Sequence, residues 1–273
     1  MRDIAVAVTC YNNEDEVLTF AKDLSHQTSR DRIQLLVTCN ACNDFSAFQK
    51  RLLSESPTAL VYNPNTNLGY LHGCLYGVEK SQRKYSWVMI CNTDIEFKDD
   101  DYFDKLLTTV PEEVWCIGTD IVLKANGVHQ NPFILNRPSK RKFNLWKFVF
   151  SSYPLFYLYF ILHDIKPEVK TSIEVNSGFV YAIHGSCFLL KDECVQKIIQ
   201  ENPGIFMYGE ELLIAEITRE SGKKCYLDMD ACVIHNENQV TGKIGNRRKQ
   251  KWFKQSINYL FHKHLNNSRW ENE

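Results

Sequence analysis

Three things are scarce in this chain of 273 residues. Net charge is one: 32 Lys and Arg stand against 33 Asp and Glu, leaving -1. That balance excludes a dedicated nucleic-acid binder, which would carry a clear excess of positive charge. A long apolar run is the second. The longest candidate, residues 148–162, has only 15 positions and is broken by Ser151, Ser152 and Pro154. A membrane-spanning helix needs about 20. The third is an apolar leader: `MRDIAVAVTCYNNEDE` turns polar too soon for a signal peptide. The expectation is a cytoplasmic chain.

Cysteine is plentiful, but regular cysteine spacing is not. Of ten cysteines, only Cys39 and Cys42 form a C-x-x-C. Zinc would need a second ligand pair, and none follows at suitable spacing. A redox pair would precede a simple helical motif, which is absent here. The thiols therefore read as reduced and mostly buried. The sequon Asn266-Asn267-Ser268 has no secretion signal to make it meaningful.

What is present is alternation. Strand-like stretches at 4–10, 32–40, 58–63 and 85–91 are separated by helical spacing at 14–27, 44–56 and 70–82, with Asp44 or Ser46 as cap of the middle helix. This pace predicts an α/β fold with a mostly parallel central sheet flanked by helices. In such sheets ligands bind beyond the carboxyl ends of the strands. The polar residues there are Thr9, Tyr11 and Asn12; Cys39 and Asn40; Asn63, Asn65 and Asn67; and Asn92 and Asp94. They are expected to converge on one crevice.

These stretches resemble a known family. `IAVAVTCYNNEDEV`, `NPNTNLGYLHGCLYGV`, `MICNTDIEF`, `GSCFLLKDECV`, `FMYGEE` and `SGKKCYLDMDACVIH` follow the order and spacing of inverting family 2 glycosyltransferases, especially the rhamnosyltransferase-like branch. The resemblance implies a GT-A-type fold. Residues 1–115 would bind the nucleotide sugar and 116–240 the acceptor, with an aromatic insertion at 136–164 and a basic amphipathic segment at 241–273.

The resemblance also implies roles. A departing nucleoside diphosphate gathers negative charge, which a divalent cation offsets, so Mn2+ or Mg2+ is the expected cofactor. Asp94 matches the last acid of the family's D-x-D and is the expected metal ligand. Asn92 and Thr93 complete the motif and line the donor site with Thr9, Tyr11, Asn12, Asn40, Asn67 and Gly69. Glu96 falls on the Asp94 side if the chain stays extended. His235, ending `ACVIH`, is placed like a histidine that binds the cation or donates to phosphate. Inverting transfer needs a base for the acceptor hydroxyl. Glu211 is the expected base, with Glu210 holding the loop or acceptor and standing in reserve. Adjacent helical positions point about 100° apart, so the two acids are not expected to share one job.

The sequence also departs from the family. Cys39 stands where an acid usually contacts the base, and Cys42 where serine is usual. Leu213 and Ile217 occupy the positions of an acid and an arginine. The stretch 136–164 reads as a buried insertion, an oligomer contact or a membrane-facing acceptor element. The stretch 247–265 sets Phe253, Ile257, Leu260 and Phe261 beside Arg247, Arg248, Lys249, Lys251 and Lys254. It reads as a helix lying on an anionic membrane or packed on the domain. The favoured function is transfer of a hexosyl or rhamnosyl group from a nucleotide-diphosphate sugar to a glycan or lipid-linked saccharide, in bacterial surface polysaccharide synthesis. The alternative is a catalytically silent glycan-binding or assembly scaffold on the same fold.

Overall fold

The computed structural model describes residues 3–108, 110–165, 176–237 and 247–265. The sequon lies outside them. In chain order the elements are β1 (Ile4–Tyr11), α1 (Glu14–Ser25), β2 (Ile33–Ala41), α2 (Phe45–Glu55), β3 (Leu60–Tyr62), α3 (Tyr70–Ser81), β4 (Trp87–Cys91), β5 (Ile95–Phe97), α4 (Tyr102–Leu107), β6 (Val114–Leu123), α5 (Lys140–Ser151), α6 (Tyr153–Ile165), β7 (Gly178–Val180), β8 (Cys187–Lys191), α7 (Asp192–Glu201), α8 (Glu210–Glu220), β9 (Lys224–His235) and α9 (Arg247–Leu260). A single π-helical turn, Phe261–Leu265, extends α9.

The first half follows its periodicity. Asp44, not Ser46, caps α2 by accepting from Ala47 N–H at 2.9 Å. Along β1 the side chains alternate between two cores. Ile4, Val6 and Val8 meet Val17, Phe20 and Leu24 of α1, while Ala5 and Ala7 share the other core with Leu71, Cys74 and Val78 of α3. Small residues on the α3 side let that helix lie close. A Cβ on Gly73 would stand 2.5 Å from Thr9 Cγ2.

The sheet itself differs from expectation. One nine-stranded sheet runs β3-β2-β1-β4-β8-β6-β9-β5, with β7 also on β9. Pairings within β3-β2-β1-β4 are parallel. Beyond β4 only β6 and β9 run parallel, and the pairs β4–β8, β6–β8, β5–β9 and β7–β9 are antiparallel. The sheet is mixed because its second half lacks the strand–helix–strand crossovers that parallel neighbours need.

It is also curled. Only Asn92, Thr93 and Asp94 join β4 to β5, yet three strands lie between them in sheet order. Four strand steps measure about 19 Å across a flat sheet, whereas four residue steps reach at most about 14 Å. The bend lies in β9. Its register against β6 jumps from Thr119↔Asp228 to Asp120↔Cys232, a bulge that increases local twist. Before the bulge the free edge of β9 takes β7, and after it β5.

The aromatic insertion forms α5 and α6, bent by 120° at their junction. Phe143, Trp146, Phe150 and Phe156 are buried. Phe253 of α9 packs against Phe150 and Phe156, with ring centroids 5.1 and 5.8 Å apart. Among the described residues no single helix is long and apolar enough to cross a membrane. The apolar stripe of α9 belongs to the protein core: Ile257, Leu260 and Phe261 are buried.

Candidate active site

The crevice is built at the carboxyl ends of β1, β2 and β4. Ala7 pairs with Ile90 in parallel register, so two residues further on Thr9 stands level with Asn92. Tyr11 and Asn12 project from the tip of β1 and are exposed. Asn12 adopts φ +55°, a conformation asparagine tolerates better than most residues.

Asn40 is buried and clamps the asparagine-rich loop. Its Nδ2 donates to Gly69 O at 2.7 Å, and its Oδ1 accepts from Leu68 N–H at 3.1 Å. Asn67 Oδ1 accepts from Gly69 N–H at 2.9 Å. Gly69 has φ +80°, and a Cβ there would lie 2.0 Å from Phe206 O. No other residue type fits that close approach. Both amide ends of Asn40 are engaged by the loop backbone, so it shapes the crevice wall.

The Asn92-Thr93-Asp94 turn divides its work. Asn92 N–H donates to Ser186 O at 2.8 Å. The Thr93 hydroxyl turns toward α1, bonded to Glu16 and, at 2.8 Å, to Asn13 Nδ2. Asp94 faces His235, with Oδ1 to Nε2 at 3.3 Å. His235 Nδ1 lies 2.7 Å from Gln130 Oε1. A carbonyl oxygen only accepts, so Nδ1 carries the proton there. In the neutral tautomer Nε2 then presents a lone pair to a carboxylate, an arrangement that a cation between them relieves. Among the described residues no third His, Cys, Asp or Glu clusters with this pair. Mn2+ and Mg2+ fit such a sparse set, because they keep waters and share sites with phosphates. Between those two ions, the imidazole nitrogen favours Mn2+ over the harder Mg2+. Glu96 lines the same pocket as Asp94, as the extended chain predicts, and there it is exposed and pairs with Lys124 at 3.0 Å.

The acids of α8 reach the loop that carries Gly185. A Cβ on Gly185 would stand 2.7 Å from Glu211 Oε1 and 3.3 Å from Glu210 Oε1. The expected divergence of these neighbours is overcome by their length, and both carboxyls reach the same loop. Tyr70 O–H donates to Gly185 O at 2.8 Å, so α3 helps hold that loop. Burial pushes Glu210 well above the usual carboxylate range, and the charge of Glu211 adds to it. Glu210 Oε2 has no hydrogen-bond partner. Burial raises Glu211 as well, opposed by backbone N–H groups of Glu211, Gly209 and Gly185. Glu211 remains partly exposed while Glu210 is buried, so of the two acids Glu211 is the one open to solvent. Leu213 and Ile217 are core residues.

Two residues at this site carry no sequence signal. His184 packs against His235, with centroids 6.4 Å apart, and its Nδ1 lies 2.9 Å from Ser186 Oγ. Gln130 orients His235 from a loop. Neither belongs to a periodic pattern, and only the proximity of His184 to Gly185-Ser186 could have drawn attention to it.

No protein-family model matches the chain, and no curated protein matches its sequence. Solved structures do share its architecture. The mannosyltransferase PcManGT from Pyrobaculum calidifontis, in complex with GDP-Man and Mn2+, superposes with TM-score 0.55 at 13% identity over 88% of this chain. GalNAc-T7, with UDP, GalNAc and Mn2+, superposes with TM-score 0.61 at 12% identity over 94%. The fold is of the GT-A glycosyltransferase type. The chain spans 58% and 47% of those two proteins' lengths. Within the chain the 184–186 loop touches both groups: Ser186 O accepts from Asn92 N–H, the His184 ring packs on His235, and Glu211 reaches Gly185.

Proposed function

We propose that the chain is an inverting, divalent-cation-dependent glycosyltransferase using a nucleotide-diphosphate sugar, of the family 2 kind that its motifs resemble. The observation that carries this reading is that one loop, 184–186, meets both the Asp94–His235 side, through Asn92 and His184, and the Glu211 carboxyl at Gly185. A GT-A architecture shared with two proteins solved with Mn2+ and nucleotide ligands supports it.

Asp94 and His235 would hold the cation, which when bound offsets charge on the diphosphate. Asn40, through its clamp on the 68–69 backbone, shapes the wall of the donor crevice, and Tyr11 offers an exposed ring at its mouth. Glu211 accepts the proton of the acceptor hydroxyl as its oxygen attacks the anomeric carbon and the bond to the diphosphate breaks. Glu210, kept neutral by burial, keeps a second negative charge away from the base. The donor is a hexosyl or rhamnosyl nucleotide.

The proposed acceptor is a lipid-linked saccharide of bacterial surface polysaccharide synthesis, met at the cytoplasmic membrane face. Leu145, Phe148, Tyr157, Leu158 and Leu162 on α5 and α6 are exposed, with Lys140, Arg141 and Lys147 exposed nearby, a composition suited to an anionic lipid surface. The test is a panel of GDP-, UDP- and dTDP-sugars with Mn2+ or Mg2+ and lipid-linked acceptors, read as nucleoside diphosphate release. Metal-dependent release with one donor is expected. Tight donor binding with no turnover on any acceptor would favour a silent binding protein instead.

A further inference from the structure

Three thiols meet beside the proposed donor crevice from separate parts of the chain. Cys10 ends β1, Cys39 is its register partner on β2, and Cys42 lies in the turn after β2. Their sulfurs all lie within 4.8 Å of one another. Cys10 and Cys42 are 3.7 Å apart. Cys10 and Cys39 are buried while Cys42 is partly exposed, so the cluster has a way in from solvent. Among the described residues no other group of three metal-ligating side chains comes together. Read along the chain, C-x-x-C offers two ligands and lacks a second pair. The parallel pairing of β1 with β2 supplies a third thiol that spacing cannot reveal.

The distances have chemical content. Sulfurs about 2.3 Å from a tetrahedral zinc stand roughly 3.8 Å apart, which the Cys10–Cys42 separation matches. A disulfide would need about 2.05 Å. The cluster also has polar neighbours. The Asn13 backbone N–H is aimed at the Cys10 sulfur, the outer contact that thiolate ligands commonly receive. Glu14, fixed by Asn43 N–H at 2.7 Å, sets a negative charge beside the cluster that opposes free thiolates and that a bound cation would offset. The turn is held by Asn12 N–H donating to Ala41 O at 2.9 Å.

We propose that Cys10, Cys39 and Cys42 bind Zn2+ as three thiolates, with water as fourth ligand. Binding releases three thiol protons to solvent and leaves the site with one net negative charge. This goes beyond glycosyl transfer and does not depend on it. The site differs in kind from Asp94–His235: three soft sulfurs strongly favour zinc, whereas a harder carboxylate–imidazole pair accepts Mn2+ as well. It would brace the ends of β1 and β2 beside Asn40, stiffening the wall that Asn40 holds.

The test uses the full chain, reduced, stripped of metal and handled without oxygen. Co2+ serves as the optical probe and Zn2+ as competitor. One equivalent of Co2+ is expected to give an intense thiolate-to-cobalt charge-transfer band that Zn2+ abolishes. Cys42→Ser, a change in a surface turn, should weaken Co2+ binding at least tenfold while far-UV circular dichroism stays the same. Cys232→Ser, away from the cluster, should leave the band intact. Zn2+ should raise the melting temperature of the parent protein and not that of Cys42→Ser. A folded parent protein without the band would overturn the proposal, as would a band unchanged in Cys42→Ser.

Discussion

Asp94 and His235 hold a carboxylate oxygen and an imidazole nitrogen 3.3 Å apart, with the ring fixed from behind by Gln130. Replacing Asp94 by Asn keeps the shape and removes the charge. We expect Asp94→Asn to abolish the enhancement of donor binding by Mn2+ in calorimetric titration; equal enhancement in both proteins would remove Asp94 from the site. For Glu211→Gln, donor binding should persist while transfer falls at least about a hundredfold, the low end for loss of a positioned base. Glu210→Gln should cost less. The pH profile adds a sign. Burial raises Glu211 from its ordinary value of 4.5, and a base must be deprotonated to act. The acid limb of kcat/KM should therefore fall above pH 4.5 and disappear in Glu211→Gln. Asp94 and Glu211 could be picked from the sequence because each follows a strand end or opens a helix within an ordered series of motifs. Gln130, His184 and the third thiol could not, because they reach their partners through loops or across strands.

At the scale of elements, the loop before α3 depends on one residue. Gly69→Ala places a methyl group 2.0 Å from Phe206 O at φ +80° and ψ −166°, a region essentially restricted to glycine that costs other residues about 1–3 kcal/mol. The loop must move, so a loss of donor affinity larger than the loss of stability is expected from calorimetry and thermal melts. Buried Glu216 anchors α8. Arg137 and Arg219 pair with it at 2.9 Å each, and Tyr181 O–H donates at 2.6 Å. Glu216→Ala removes a buried carboxylate shared by two partly buried guanidinium groups and should destabilise the fold by about 3 kcal/mol, the low end for breaking a buried pair, in urea unfolding. Helix periodicity in α1, α2 and α3 was readable because each buries one face against the sheet. For α9 it was ambiguous, since an apolar stripe beside basic residues suits a membrane as well as a core. Packing decides for the stripe. Tyr208, just before α8, stacks on Phe253 with ring centroids 4.8 Å apart and planes within 8°, so α9 supports the segment leading to Glu211.

For the whole molecule, the π-helical turn closes one side through His264. Its ring nitrogens face Glu201 and Glu220 at 2.8 and 3.1 Å. Burial alone would lower its pKa, but the two carboxylates prevail and raise it above 6.5. The charged ring therefore stabilises the fold fully below pH 6.5, and that contribution is lost as pH rises through the raised folded value. Melting temperature should decline over that interval, and His264→Gln should flatten the decline relative to the parent protein. Parallel pairing in the first half was evident from strand–helix alternation. The curl was not, since it depends on a bulge in β9 and on strands β5 and β7 of three residues each.

The pairing of β4 with β8 also sets an order of events during synthesis. Residues 87–91 complete their outer edge only against residues 187–191, about a hundred positions later in the chain. At ribosomal rates of about 5–20 residues per second, that edge waits roughly 5–20 s for its partner. Throughout that interval the nascent first half presents unpaired backbone groups on Val88, Met89 and Ile90, a hydrophobic strand open to pairing with another chain. Yield in the cell should therefore respond to translation speed and chaperone supply more than the finished sheet, with that edge covered, would suggest.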